Sequence, residues 1–347
     1  MKEYKVGIVG ATGYGGVELI RLLANHPHFH VYAVYSSSQD GMELAEVYPH
    51  LSNTVYTLQD INPKNMAKEL DLVFTATPSG VSSKLVPQLI EEGIKVVDLS
   101  GDFRLKTEAL YEKWYKKPAA AEAFLQQSVY GLAEWFAEEV ESSTFVANPG
   151  CYPTATLLGL APLVSKQMVK SNSIIIDAKS GISGAGRGLS QMAHYAEINE
   201  NMKIYKVNQH QHIPEIESIL EKWDEEIGHV TFSTHLVPMT RGIMSTIYAE
   251  LSEESSVQEL HQLYVDTYQN SPFVRVRKAG EFPSTKEVSA SNYCDIGIAF
   301  DERTKRVTIV SVIDNLVKGA AGQAIQNANI MMGFEQQTGI GLLPVFP

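Results

Sequence analysis

Close to its N-terminus the chain runs from an apolar segment, YKVGIV, into GATGYGG and then into VELIRLLAN. The segment Tyr4–Val9 predicts a short buried strand. Val17, Ile20, Leu23 and Ala24 then recur at helical spacing, predicting a helix over 16–25 that Pro27 stops. A strand, a glycine turn and a helix in that order open a parallel sheet whose next strand is reached over a crossover helix. Gly10, Gly13 and Gly16 let backbone N–H groups approach a pyrophosphate at the helix start. A glycine turn needed only for packing would read the same way, and the spacing is a variant of the commoner G-x-G-x-x-G. The placement between first strand and first helix is what favours a dinucleotide. The candidate cofactor contacts there are Gly10, Ala11, Thr12, Gly13, Tyr14, Gly15 and Gly16.

The alternation continues. Phe29–Tyr35, 71–76 and 95–99 read as strands, with a helix over 80–92. From Cys151 the pattern changes: a helix over 154–166 is followed by strands at 173–178, 229–237, 245–251 and 273–277. A hairpin then pairs 293–300 with 307–313 across DERTK, and one helix, 257–269, interrupts the series. The last helical stretch, 316–332, could pack back on the first domain. The expected fold class is α/β: a Rossmann-type, doubly wound parallel sheet plus an α+β domain with a mostly antiparallel sheet. The expected domains are 1–149 with 316–347 for the dinucleotide, and 150–315 for catalysis and oligomerisation.

Composition limits the partners. A formal net charge of −12 argues against nucleic acid, whose phosphates require clustered Lys and Arg. No apolar run approaches the roughly 18 residues of a membrane span, and no secretory h-region precedes the first strand. Two cysteines, Cys151 and Cys294, are too few for a disulfide framework or a cysteine-rich metal site, so no metal is expected and a reducing cytoplasm is.

The second strand ends in Tyr35-Ser36-Ser37-Ser38, where an NAD enzyme would place a carboxylate on the ribose 2′-OH. Hydroxyls at Ser36, Ser37 and Ser38 suit a 2′-phosphate and favour NADP, although a plain serine turn is the alternative. In VANPGCYPTATLLGLAP, Cys151 follows Asn148-Pro149-Gly150 and precedes a helix, so the helix dipole favours its thiolate. A buried structural cysteine is the competing reading there, and it is the expected one for Cys294 in NYCDIGIAF. A nucleophilic thiolate needs an acid/base partner. In NQHQHIPEI, His210 and His212 are two apart on a stretch that reads as extended, pointing the same way; a solvated surface pair is the alternative.

Taken together, the chain resembles the N-acetyl-γ-glutamyl-phosphate reductases, arginine-pathway relatives of the aspartate-semialdehyde dehydrogenases. The resemblance covers nearly the whole length: GATGYGGVEL, DLSGDFR at 98–104, YGLAE at 130–134, NPGCYPTA at 148–155, SGISGAGR at 180–187, HQHIPEI at 210–216, HLVPMTRGI at 235–243 and DNLVKGAAGQAIQN at 314–327. It implies that Cys151 is the nucleophile and that His212, or secondly His210, is the acid/base. It implies substrate contacts at Arg104, Asn148, Ser180, Gly181 and Arg187, and a nicotinamide contact at Asn315. Arginine suits these oxyanions because its planar fork pairs with them bidentately. The family often has an arginine after the second strand where this chain has serine. The implied reaction is NADPH-dependent reduction of N-acetyl-γ-glutamyl phosphate to N-acetylglutamate semialdehyde, with release of phosphate, through a cysteine thioester in a homo-oligomer. Reduction of β-aspartyl phosphate and cofactor sensing without catalysis are the alternatives.

Overall fold

The computed structural model describes residues 3–36 and 39–346. The chain forms two compact units, Met1–Gly150 with Ala320–Gly341, and Cys151–Gly319 with Leu342–Pro347.

The first unit begins with β1 (Tyr4–Val9), α1 (Tyr14–Leu23) and β2 (Phe29–Tyr35), then α2 (Leu44–Val47), β3 (Leu58–Gln59), α3 (Pro63–Glu69), β4 (Leu72–Thr75), α4 (Ser82–Glu91) and β5 (Lys95–Asp98). It continues through α5 (Glu108–Tyr115), α6 (Glu122–Gln127), β6 (Val129–Tyr130), α7 (Ala133–Glu141) and β7 (Phe145–Ala147). The strands lie in the order β3-β2-β1-β4-β5-β7-β6, all parallel. The order reverses between β1 and β4, where ligands of such sheets bind beyond the strand C-termini. The expected strands recur, whereas β3, β6 and β7, of two or three residues each, are too short to leave a periodic signal.

The second unit contains α8 (Cys151–Val164), β8 (Ile175–Gly181), α9 (Tyr195–Ile198), β9 (Lys203–Tyr205), α10 (His212–Trp223), β10 (Thr231–Val237) and β11 (Ile243–Glu250). After them come α11 (Val257–Tyr268), β12 (Val274–Val276), β13 (Cys294–Asp301) and β14 (Arg306–Ile313). Its sheet runs β12-β13-β14-β11-β8-β10-β9. Four of its pairings are antiparallel, and β10–β8 and β12–β13 are parallel. The expectation of a mostly antiparallel sheet holds.

Helix α8 is apolar on every side and buried from Tyr152 to Val164, which makes it a core helix. It packs on β11, β14 and α11. Pro162 has no N–H for the carbonyl of Leu158, one turn back. The Tyr268 hydroxyl of α11 donates to that oxygen at 2.5 Å, and Tyr264 donates to Gly159 O at 2.5 Å.

A π-helical turn, Val317–Ala321, precedes α12 (Gly322–Met331). In the first unit α12 lies on α7, α1 and β5. Two of its buried amides donate within the first unit: Asn327 Nδ2 to Gly131 O at 2.7 Å, and Gln326 Nε2 to Glu134 Oε1 at 2.9 Å. This accounts for a buried helix written in Ala, Gly, Gln and Asn.

Candidate active site

In the first unit, the end of β1 passes into α1 through Gly10, whose φ of 85° is a left-handed conformation. A methyl on Gly10 would collide with the carbonyl of Ala76 beyond β4, and one on Gly16 would collide with Gly10 O. Tyr48 OH donates to Thr12 O at 3.0 Å and ties the loop down. No side chain caps α1, and its first turn holds no acidic residue. The loop closes tightly only because Gly10 and Gly16 lack a Cβ, and it stands at a helix start with no competing carboxylate. It suits a dinucleotide pyrophosphate, with Gly10, Ala11, Thr12, Gly13, Tyr14, Gly15 and Gly16 as the residues to hold it. Ser36 is buried at the end of β2, its N–H donating to Gln59 O at 3.1 Å. Ser37 and Ser38 lie outside the described residues.

Two buried carboxylates organise the loops beyond β4 and β5. Asp98 accepts the hydroxyls of Thr75 at 2.6 Å, Ser82 at 2.7 Å and Ser100 at 2.6 Å; burial raises its pKa against these bonds. Asp102 accepts the N–H groups of Gly80 and Ser83, each at 2.8 Å, and the Tyr111 hydroxyl at 2.7 Å. Arg104 is buried beside them. Its Nε donates to Asn148 O and its Nη2 to Leu99 O, both at 2.8 Å. Asn148 is equally committed, with Nδ2 on Ala320 O at 3.2 Å and Oδ1 accepting from Asn327 at 3.0 Å. Arg104 and Asn148 are thus brought together, and Arg104 braces the turn that leads to the cysteine.

In the second unit, Cys151 is the first residue of α8, three residues earlier than the helix expected from sequence. Pro153 does not oppose this start, because a first-turn proline needs no N–H partner. No charged residue occupies that turn. Gly319 closes one side: a methyl on it would stand 2.8 Å from Cys151 Cβ. Cys294 is fully buried, its sulfur 3.4 Å from Ser311 Oγ, as a core cysteine should be.

The histidine segment is not extended as expected. Gln211 is helical (φ −61°, ψ −12°) and His212 is the first residue of α10. Pro214 disguises this start, since it reads as a helix breaker yet falls in a first turn that tolerates it. The two rings lie 4.6 Å apart and tilted by 56°. Both meet Tyr152, the neighbour of Cys151, with centroids at 5.5 Å for His210 and 6.0 Å for His212. Both histidines therefore pack on the ring of the residue that follows Cys151.

Tyr152 itself was not singled out by sequence, although its place beside the cysteine was the available signal. Its hydroxyl accepts from Tyr205 OH at 3.2 Å and donates to His235 O at 3.4 Å. Burial pushes the Tyr152 phenol well above its ordinary value and that of Tyr205 up to about 12, so both are neutral donors. His210 is pushed the other way, to about 3, by burial and then by Lys206.

Ser180 and Gly181 end β8, and both are buried. Ser180 Oγ donates to Gly181 O at 2.9 Å, and Gly181 N to Gly242 O at 2.9 Å. Arg187 is exposed, in the loop that follows β8. Asn315 is buried, with Oδ1 accepting from Gly242 N at 2.7 Å and Nδ2 donating to Ser183 Oγ at 2.9 Å. Its amide thus links the segments at Ser183 and Gly242. Among the described residues no group of His, Cys, Asp and Glu could hold a metal ion, and no helix is long and apolar enough to cross a membrane.

Known proteins match this arrangement over the full length. Residues 5–143 match the semialdehyde dehydrogenase NAD binding domain, and residues 151–315 match the semialdehyde dehydrogenase dimerisation domain. An N-acetyl-gamma-glutamyl-phosphate reductase from Geobacillus is 60% identical over 343 residues, 99% of each chain. One from Bacillus cytotoxicus is 57% identical over 344 residues, 99% of this chain and 100% of the relative. Among solved structures, aspartate semialdehyde dehydrogenase II from Vibrio cholerae superposes with a TM-score of 0.73 at 16% identity, covering 96% of this chain and 99% of that one. The enzyme from Candida albicans, solved with NADP, gives 0.68 at 19% identity over 95% and 99%. The cradle, the cysteine at its helix start and this full-length similarity together establish that the chain belongs to the N-acetyl-gamma-glutamyl-phosphate reductase family of semialdehyde dehydrogenases.

Proposed function

We propose that the protein reduces N-acetyl-γ-glutamyl phosphate to N-acetylglutamate semialdehyde, releasing phosphate, with NADPH as cofactor. The observation that carries this reading is Cys151 as the first residue of α8, with His210 and His212 packed on the adjoining Tyr152. The reductase relatives support the substrate, and the glycine cradle supports the cofactor.

A free carboxylate resists hydride, whereas a thioester accepts it. Cys151 loses its proton to His212 and attacks the acyl carbon; the carbon–oxygen bond to phosphate breaks, and His212 returns the proton to the departing phosphate oxygen. NADPH, held by the glycine loop, would supply hydride to the carbonyl carbon of the Cys151 thioester. The resulting oxyanion collapses, the carbon–sulfur bond breaks, and aldehyde leaves with the thiolate restored. One proton from water resets the site.

Substrate contacts fall on Arg104, Asn148, Ser180, Gly181 and Arg187. Exposed Arg187 offers its guanidinium to carboxylate or phosphate. Arg104 contributes by bracing the Asn148 turn as well as by its charge. The cofactor set is the glycine loop with Ser36, Ser37, Ser38 and Asn315. The first unit is the dinucleotide-binding domain and the second the catalytic domain. The second also carries self-association, since the β11 residues Met244, Thr246 and Tyr248 are half-buried on the sheet face opposite its core. A working thiolate suits a reducing cytoplasm.

Phosphate-dependent oxidation in the reverse direction tests the reading. N-acetylglutamate semialdehyde with NADP should be the preferred pair; preference for aspartate semialdehyde, or for NAD, overturns the corresponding half.

A further inference from the structure

The two histidines differ in what their rings do. The N–H groups of the first turn of a helix have no partner inside the helix. In α10 two of them are met by one residue: His212 N donates to His210 Nδ1 at 3.1 Å, and Ile213 N donates to the His210 carbonyl at 3.0 Å. A ring nitrogen that accepts a hydrogen bond carries no proton, so neutral His210 holds its hydrogen on Nε2. The ring is enclosed by Tyr152 of α8 at 5.5 Å, Tyr205 of β9 at 5.7 Å and Phe232 of β10 at 5.7 Å, and is 4% exposed. The titratable groups around it are Tyr152, Tyr205, His212 and Lys206. The lysine is the cation among them, and together with burial it keeps the ring neutral.

We infer that His210 is a positioning residue, whose Nδ1 fixes the first turn of α10 and so aims His212, and that it exchanges no proton with substrate. This rests on the assignment of His212 as acid/base. The pair then forms one device: a neutral histidine that sets a helix start, and a second histidine held by that start.

The geometry sets the test, because the Oδ1 of asparagine occupies the place of histidine Nδ1 and readily accepts from the N–H two residues on. Glutamine places its oxygen near Nε2 instead. His210→Asn should keep kcat for semialdehyde oxidation within about threefold, whereas His210→Gln and His210→Ala should lose on the order of 10²-fold with KM little changed. The pH profile of kcat/KM should show the same ionisations in His210→Asn as in the parent, and ¹⁵N NMR of the parent at neutral pH should show hydrogen on Nε2 of His210. Equal loss in His210→Asn and His210→Gln with parental melting temperatures, a limb missing from the His210→Asn profile, or hydrogen on Nδ1 overturns the inference. His212→Asn separates the two readings. Full activity in that variant refutes the acid/base role itself, whereas an inactive His212→Asn beside an inactive, folded His210→Asn refutes positioning alone.

Discussion

Gly319 has no room for a side chain against Cys151, since a methyl would come within 2.8 Å of Cys151 Cβ. Gly319→Ala must push either the cysteine or the π-turn aside. Its kcat should fall on the order of 10²-fold, because reacting atoms tolerate little displacement. NADPH affinity, followed by fluorescence titration, should be unchanged; an undiminished kcat would show that the contact relaxes harmlessly. Gly10→Ala should act on the other partner. It forces an L residue into φ 85° and against Ala76 O, which should cost about 1–3 kcal/mol in urea unfolding and weaken NADPH binding. At this scale the sequence was informative where a residue's neighbours in the chain are also its environment. Cys151 after Pro-Gly and before an apolar helix is such a case. Tyr205 and Asp102 are not, because the atoms that define their roles arrive from distant segments: Tyr152 in one case, Gly80, Ser83 and Tyr111 in the other.

The elements are held by polar bonds that compensate for unusual residues. Helix α8 carries Pro162, and Tyr268 supplies the hydrogen bond that Leu158 O would otherwise lack. Tyr268→Phe should cost about 1–3 kcal/mol, the usual penalty for an unsatisfied buried carbonyl. Adding Pro162→Ala, which restores an N–H one turn on, should recover part of that loss in chemical denaturation; additive losses would contradict the account. Long strands such as β1, β2, β13 and β14 were legible because their apolar residues recur over six to eight positions. The start of α10 was not. Its Pro214 and paired histidines carry the local signature of a loop, and the helix is fixed by His210 and by packing on α8.

For the whole molecule, the parallel sheet belongs to the unit with the glycine loop, and the mixed sheet to the unit with Cys151, His210 and His212. Buried neutral histidines also shape the response to acid. Burial holds His210 at about 3 and lowers His26, which accepts from Phe29 N at 2.9 Å. The unfolded chain therefore binds more protons below the ordinary histidine value of 6.5, so stability is intact above that pH and declines as pH falls toward 3. Each such group contributes a slope of up to about 1.4 kcal/mol per pH unit. His210→Asn should flatten that decline when unfolding is followed through Trp223 at the end of α10; an unchanged slope would contradict it. The proposed chemistry turns on thioester formation at Cys151. Intact-protein mass spectrometry after mixing with N-acetyl-γ-glutamyl phosphate in the absence of NADPH should find an N-acetylglutamyl adduct that maps to Cys151, is discharged by NADPH and is missing from Cys151→Ser. Turnover by Cys151→Ser, or a parent enzyme that reduces the acyl phosphate without ever carrying the adduct, would refute the thioester route.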